Sequence, residues 1–501
     1  MPTTNKKTIH ANELASAIQC PRKALLARTQ MMPPILRPDH HEYQRMLEKL
    51  LEKSGLQQGR VNDPTSRSLE ILKQDGKGRD LRFEAKGLRT TIPVMVKKED
   101  GTYKAMYPIC STAPKENLLA SLFIDTCIVE LCGLQISEHE FLYLDKTYIR
   151  QKEAKPEDFF AFQNHVKKMH GGYYRQSVDE QIAAMRQLIT PDELADLAWK
   201  VFRTPVQRQR ARHVKLCTSP SKCPFYNECW GVDDLPDNAA PLLSSSSSRN
   251  EFEEQGIYTL DQIKAGQIEG TGLQYAQIQA AKNPDGLFMD RPALQEWMDE
   301  LVYPITYLDF EWDTFALAPY PGMKAFGVLC FQYSMHIEHD DGRLEHSVYF
   351  STGDCREDFI LHLLEEIPAS GSIMVFNMEG AEKLRLMQLA EQFPAYRQPL
   401  EALCARMVDL SVPFETGSYY DLRQRGKSSL KTLLPLFSKH DGYKLLDVQN
   451  GMDAVFAYRK ASSSKDPKEK EQIAQEICDY CSMDTYAERE LFLGLKKKLE
   501  G

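Results

Sequence analysis

The 501-residue chain contains no run of 18 or more apolar residues, so no membrane-spanning helix is expected. Its opening stretch, MPTTNKKTIHANELASAIQC, lacks the long apolar region of a secretory signal, and the protein is expected in the cytoplasm. Positive charge is not in surplus: 62 Lys and Arg stand against 71 Asp and Glu, a net charge of −9. That excludes a wholesale basic coat for duplex DNA but leaves room for a local basic path. One candidate path is Arg208, Arg210, Arg212, His213 and Lys215, with a solvated helix face as the alternative reading. No C-x(2–4)-C knuckle of the usual structural zinc type occurs among Cys20, Cys217, Cys223 and Cys229. Of the 12 cysteines, Cys110, Cys127, Cys132, Cys330, Cys355, Cys404, Cys478 and Cys481 lie scattered in apolar or helical contexts, the pattern of small buried hydrophobes. Without a secretory signal, a disulfide framework is a poor explanation for them.

What is present is the composition of an ordinary globular chain, 42% hydrophobic and 27% charged, and too long for one core. Residues 9–53 read as helices, the first starting in IHANELASAIQCPRKALLA. RFEAKGLRTTIPVMV and TYKAMYPIC flank KKEDG and read as a hairpin turning at Asp100-Gly101. KENLLASLFIDTCIVELCG has helical periodicity, and a strand-like EFLYLDKTYI follows. Residues 1–230 therefore read as one α/β unit. The serine run Ser244–Ser248 has linker composition, but Leu242, Leu243 and a helix-like EFEEQGIYTLDQI make 231–300 read as a small helical connector. Beyond it come three strands (ITYLDFEW, KAFGVLCFQYSMHI, HSVYF), then helix DFILHLLEEI, strand SIMVF, helix EKLRLMQLAEQF and strand ARMVDL. SSLKTLLPLF and a long closing helix end the chain. This order suits an RNase H-like mixed sheet flanked by helices over 301–501.

The first of these strands carries Asp309-Phe310-Glu311. Residues two apart in a strand point to one face, so the two carboxylates project together and Phe310 projects opposite. Convergent carboxylates repel unless a cation lies between them, and all-oxygen ligands suit Mg²⁺ or Mn²⁺. A pair of surface acids at a strand end is the alternative. In the closing helix, Tyr480 and Asp484 are four apart and share a face. A phenol there can orient a metal-associated water or accept its proton; a buried Tyr beside an exposed Asp is the commoner meaning of such a spacing.

Together, D-x-E on the first strand and Y-x-x-x-D on the last helix resemble the first and third motifs of the DnaQ-like exonucleases. The resemblance implies that Asp309, Glu311 and Asp484 hold Mg²⁺ or Mn²⁺ and that Tyr480 assists the attacking water. The second motif departs from that family: in place of an Asp opening a helix stands Glu382, with Glu379 as the alternative. Asp409 is a further acid at a strand end, read as structural. The order YLDFEW, FQYSMHI, FN…EK, MVDL, SSLKTLLPLF, YCSMDT also resembles an uncharacterised bacterial DnaQ-like domain found fused behind an iron–sulfur nuclease-like module.

Upstream, Cys217-x5-Cys223-Pro224-Phe225-x3-Cys229-Trp230 forms a tight trio, with Cys20 far earlier in the chain. Zinc would accept four thiolates. One distant cysteine plus a trio resembles the module of AddB and CRISPR-associated RecB-like nucleases, in which a 4Fe–4S cluster ties the ends together. That resemblance implies a restriction-endonuclease-like α/β core in 1–230. Its catalytic Asp and Glu-x-Lys positions fall on Pro93, Pro108 and Cys110, so the module reads as a PD-(D/E)xK nuclease fold without its nuclease site. The expected protein is a metal-dependent 3′→5′ exonuclease using Asp309, Glu311, Glu382, Tyr480 and Asp484 on single-stranded DNA or 3′ ends. DNA is a more natural substrate than RNA. Arg423, Arg425, Lys427 and Lys431 are candidate phosphate contacts. The rival expectation is a non-catalytic nucleic-acid-binding subunit of a repair or phage-defence complex.

Overall fold

The structure, a computed structural model, describes residues 8–30, 39–209, 217, 222–246, 249, 251–439 and 442–501, the side chains of His40, Lys444 and Leu445 excepted. Arg210, Arg212, His213 and Lys215 of the basic run lie outside the described residues, as do Ser247 and Ser248. No described helix is long and apolar enough to cross a membrane. The chain divides into two compact units, Met1–Trp230 with Phe315–Phe326, and Gly231–Thr314 with Gly327–Gly501.

The first unit is a mixed sheet flanked by helices. Its strands are β1 (Ile9–His10), β2 (Gln57–Gln58), β3 (Lys77–Ala85), β4 (Leu88–Lys97), β5 (Tyr103–Pro108), β6 (Ile136–Leu144) and β7 (Phe160–Gln163). They run in the order β2-β3-β4-β5-β6-β7, with β1 pairing parallel to β4. Strands β5 and β6 are parallel, which requires a crossover, and helix Leu119–Leu131 provides it. That helix is buried almost continuously from Leu122 to Val129, so it lies inside the core rather than on it.

Two local departures from the sequence reading have clear causes. RFEAKGLRTTIPVMV is two antiparallel strands, β3 and β4, rather than one hairpin arm. The chain reverses at Lys86-Gly87, both at positive φ (50° and 72°), as a two-residue primed turn demands. Lys-Gly is a weaker turn signal than the Asp100-Gly101 that joins β4 to β5, where Asp100 Oδ1 accepts from the Thr102 amide (2.9 Å). The first helix also breaks where the sequence ran it through. Pro21 opens a second helix, Pro21–Thr29, and pushes Cys20 into extended backbone (φ −156°) between that helix and Ala11–Gln19.

In the second unit β8 (Leu287–Met289) pairs with β14 (Tyr419–Asp421) in a small ribbon. The larger sheet contains β9 (Ile305–Phe315), β10 (Gly327–Glu338), β11 (Leu344–Phe350), β12 (Ile373–Val375) and β13 (Met407–Asp409), in the order β11-β10-β9-β12-β13. Strands β10 and β11 are antiparallel; β12 lies parallel to both β9 and β13. Phe310 packs with Phe359, Leu386 and Leu389, which belong to helices Arg356–Glu366 and Glu382–Gln392. The 34-residue helix Pro467–Glu500 packs on β10, where Thr485 hydrogen-bonds Ser334 (2.9 Å) and His336 (2.8 Å). Residues 231–300, read from sequence as a connector, fall in this unit. EFEEQGIYTLDQI forms two 3-10 turns, not a helix, because Gly256 at φ 71° interrupts it.

The Lys86-Gly87 turn is held by Trp199, whose indole N–H donates to the Lys86 carbonyl (2.9 Å). A Cβ on Gly87 would meet Trp199 Cζ2 at 2.6 Å in a left-handed conformation. Gly87→Ala is expected to destabilise the first unit by ~1–3 kcal/mol, read as a lowered urea midpoint followed by Trp fluorescence; an unchanged midpoint would mean the turn relaxes freely.

Candidate metal centre

Strand alternation sends Asp309, Glu311 and Asp313 to one face of β9 and Phe310 and Trp312 to the other. The closing helix brings Asp484 to the first two. Oxygens of Asp309, Glu311 and Asp484 all lie within 4.8 Å of one another. Ligands across one Mg²⁺ stand roughly 4.2 Å apart, so the trio is nearly at the spacing of a single cation. Asp313 is used differently, paired with Arg459 (2.7 Å).

Burial dominates the electrostatics. Glu311 and Asp484 are each 7% exposed. Burial and the neighbouring Asp484 charge push the Asp309 carboxyl well above its ordinary range. Burial, Asp309 and Asp484 do the same to Glu311. Asp484 is raised by burial to about 6, restrained by hydrogen bonds from Tyr443 and Tyr480 and by the Lys431 charge. Tyr443 donates to Asp484 Oδ1 at 2.5 Å. The Lys431 ammonium sits 5.2 Å from the Tyr443 ring centre and 5.0 Å from that of Tyr480, and it donates to the Gln449 carbonyl. The Cys481 thiol donates to Asp309 Oδ2 (3.0 Å).

The two glutamates weighed for the second motif lie in different surroundings. Glu379 is an exposed acid paired with Lys383 (2.5 Å). Glu382 is 2% exposed at the start of its helix, and burial and then Asp309 raise its carboxyl. It is not part of the compact trio. Asp409 is an anchor: it accepts from the amides of Asn377 (3.0 Å), Met378 (2.8 Å) and Ser411 (2.8 Å), holding the turn that leads to Glu382. Asn377 in that turn is left-handed, at φ 67°.

Among the basic candidates, Lys431 lies beside the centre, but Arg425 does not serve it. The Arg425 guanidinium donates to the Val232 and Leu235 carbonyls and pairs with Asp237 (2.6 Å), stapling residues 232–237. Arg423 pairs with Asp421 (2.5 Å).

Sequence reasoning missed Glu488, Tyr443 and Cys481. Glu488 had a signal, since it lies one helical turn beyond Asp484 on the same face. Its side chain is buried, with Asp309, Glu382 and Asp484 as its foremost neighbouring charges. Tyr443, in the 3-10 turn Gly442–Leu445, gave no periodic signal at all.

In the first unit, Cys20, Cys223 and Cys229 are each half-buried. The Cys229 thiol is raised by burial, and both Cys223 and Cys20 are among the groups that act on it. Arg22 donates from Nε to Cys229 Sγ (3.3 Å) and from its guanidinium to the Val206 and Gln209 carbonyls. The Cys223 amide donates to the Cys217 carbonyl (2.8 Å).

Raised acids bind more protons folded than unfolded, so the cation-free protein must lose stability as pH climbs from the ordinary carboxylate range through about 6. Melting temperature in chelator is expected to fall between pH 5 and pH 7.5, on the order of the carboxylate-to-neutral window, and Asp484→Asn is expected to flatten the fall. A melting temperature that rises across that window would contradict the burial of these groups as ionisable carboxyls.

Residues 306–429 match the family described as Domain of unknown function (DUF2779), a span that includes Asp309, Glu311, Glu382 and Asp409 and ends before Tyr443, Tyr480, Asp484 and Glu488. Comparison with curated proteins found no match. Over that span the chain is thus similar to a family whose own description assigns no activity.

Proposed function

We propose that the second unit is a divalent-cation-dependent 3′→5′ exonuclease acting on single-stranded DNA or 3′ ends. The observation that carries the reading is the trio of half-buried Asp309 with buried Glu311 and Asp484, three acids from two elements near the spacing of one cation. The strand order β11-β10-β9-β12-β13, with β12 and β13 parallel to the central β9 and helices beside the sheet, supports an RNase H-like arrangement. The polarity and the DNA preference follow the DnaQ-like resemblance of the first and third motifs.

Asp309, Glu311 and Asp484 would hold Mg²⁺ or Mn²⁺, which when bound activates water and offsets charge building on the attacked phosphate. The chain's own groups divide the remaining work. Tyr480, hydrogen-bonded to Asp484, orients the attacking water. Tyr443 fixes the Asp484 carboxylate through its other contact. Lys431 places a positive charge where a scissile phosphate would approach. Glu382 supplies the fourth acid. Its displacement from the trio also favours a second reading, a non-catalytic nucleic-acid-binding subunit.

For the first unit we propose a restriction-endonuclease-like module that serves as scaffold or nucleic-acid contact. Cys20, Cys217, Cys223 and Cys229 would hold a 4Fe–4S cluster, with zinc as the alternative. The influence of Cys20 and Cys223 on the Cys229 thiol and the Arg22 guanidinium beside it support a polynuclear, negatively charged group.

Asp309→Asn is expected to abolish Mn²⁺-dependent degradation of 5′-labelled single-stranded DNA while the fold survives; wild-type rates in this variant would refute the centre. Absence of any hydrolysis by wild type, with DNA retained in a gel shift, would instead establish the binding subunit. Tyr480→Phe is expected to slow turnover ~10²-fold with Mn²⁺ binding intact. Anaerobically purified protein is expected to be brown, with Cys223→Ala losing the colour and rendering residues 1–230 protease-sensitive. Stoichiometric zinc without iron would overturn the cluster.

A further inference from the structure

In a chain with 71 Asp and Glu among 501 residues, the stretch Phe159–Val178 contains neither. It holds Lys167, Lys168 and Arg175, with His165 and His170 between them and aromatic residues on either side. Against a net charge of −9, that is a local inversion of sign.

The stretch includes β7, which ends the strand order of the first unit's sheet, and then turns back in a tight hairpin. The Tyr174 amide donates to the Val166 carbonyl and the Lys168 amide to that of Gly172 (3.0 Å each), while Lys167 and Tyr173 pair as an antiparallel bridge. Gly171, at φ 122°, takes a reversal that a side chain would resist. Further bonds tie the hairpin to residues 114–116. The Lys167 amide donates to the Pro114 carbonyl (2.8 Å) and the Glu116 amide to the Lys167 carbonyl (2.9 Å). The Glu116 carboxylate accepts from the Met169 amide (2.9 Å) and the Tyr174 hydroxyl (2.5 Å). The hairpin is thus held at its base, and the acid beside it is taken up by hydrogen bonds from within it.

What the hairpin shows outward is basic and aromatic. Lys167, Lys168, His170 and Arg175 are exposed, and among the described residues neither lysine nor Arg175 lies within ion-pair distance of a carboxylate. Met169 is 47% exposed and Tyr173 44%. The Tyr173 hydroxyl accepts from Gln163 Nε2 (3.5 Å), which steadies the phenol against β7 without burying it. An exposed, steadied ring offers a face on which an unpaired base stacks, and cations on the same hairpin offset the phosphates of the strand. A duplex or an acidic peptide would use the cations and leave Tyr173 idle.

We propose that the hairpin Val166–Arg175 is a contact for single-stranded DNA, with Tyr173 stacking on a base and Lys167, Lys168 and Arg175 holding phosphates. This gives the nucleic-acid contact proposed for the first unit a location. It rests on that reading for its occupant, but on neither the cluster nor hydrolysis.

The test is fluorescence anisotropy of a labelled oligothymidylate with the full-length protein in chelator, where nothing is hydrolysed, across a salt series. Tyr173→Ala is expected to weaken binding ~10-fold, and Tyr173→Phe, which keeps the ring, to restore it. Replacing Lys167, Lys168 and Arg175 together by Ala is expected to lower the slope of log affinity against log salt by about 2, at ~0.7 per phosphate contact. Phe162 is 53% exposed on the opposite pleat of β7 from Gln163, so Phe162→Ala is expected to leave affinity within about twofold. All these side chains are exposed, and Tyr174 and Glu116 stay in place, so melting temperatures should match wild type; should one variant melt lower, the other decides. Wild-type affinity and salt slope in both the Tyr173→Ala and the triple variant overturn the hairpin, but not a nucleic-acid role elsewhere in the chain. No binding by wild type overturns both. Loss of duplex DNA equal to the loss of the single strand, loss of anionic vesicles alone, or a Phe162→Ala effect as large as that of Tyr173→Ala also overturns the hairpin.

Discussion

Five carboxylates share one buried region of the second unit: Asp309 and Glu311 from β9, Glu382 from the helix after β12, and Asp484 and Glu488 from the closing helix. In water such a cluster would cost little. Under protein, each charge loses its hydration and feels its neighbours through a poorer dielectric. The cluster can persist only with protons or cations to offset it. Protons are the answer at low pH, and every acid in the set is shifted toward keeping them. Asp484, raised only to about 6, is the member of the set that gives up its proton first as pH rises. The hydroxyls of Tyr443 and Tyr480 and the ammonium of Lys431 offset part of the charge on Asp484, and the cation proposed for the trio would offset more.

The fold supplies the rigidity that such crowding requires. Phe310 anchors β9 from behind, in edge-on contact with Phe359 (5.2 Å between ring centres). Thr485, between Asp484 and Glu488 on the closing helix, is tied to Ser334 and His336 of β10. Asp409 spends its carboxylate on three backbone amides rather than on the centre. An acid so placed is structural, but what it structures is the turn that presents Glu382. The strands, the helix and the turn thus reach one point by separate routes, each fixed by packing on the side away from the acids.

The first unit shows the same economy around sulfur. Pro21 breaks what would be one continuous helix, and the break exposes Cys20 at a junction instead of burying it in a helical face. Arg22, one residue on from the proline, reaches the Cys229 thiol and two carbonyls of residues 206–209. Residues at the start and the end of the unit are therefore joined through side chains before any cofactor is considered.

Alternation and helical spacing determined a good deal by themselves. They gave the shared face of Asp309 and Glu311, the opposite face of Phe310, the pairing of Tyr480 with Asp484, and the β–α order of the second unit, because these depend on local repeat geometry that any strand or helix obeys. The helical repeat also contained Glu488, unread because the motif that directed attention stopped at Asp484. The choice between Glu379 and Glu382 was not local. It depends on which way the chain leaves the Asn377 turn, and Asp409, more than thirty residues later in sequence, holds that turn. Tyr443 was invisible for the same reason, since only the packing of a short turn against the closing helix brings its hydroxyl to Asp484. The Lys86-Gly87 reversal was missed because Lys-Gly is a weak local turn signal and the Trp199 hydrogen bond across the turn comes from far along the chain. Arg425 looked like a phosphate contact until its partners in 232–237 were seen. Residue type and spacing decided which groups could do chemistry; contacts between distant segments decided which of them were left free to do it, because burial and hydrogen bonding are properties of the assembled fold.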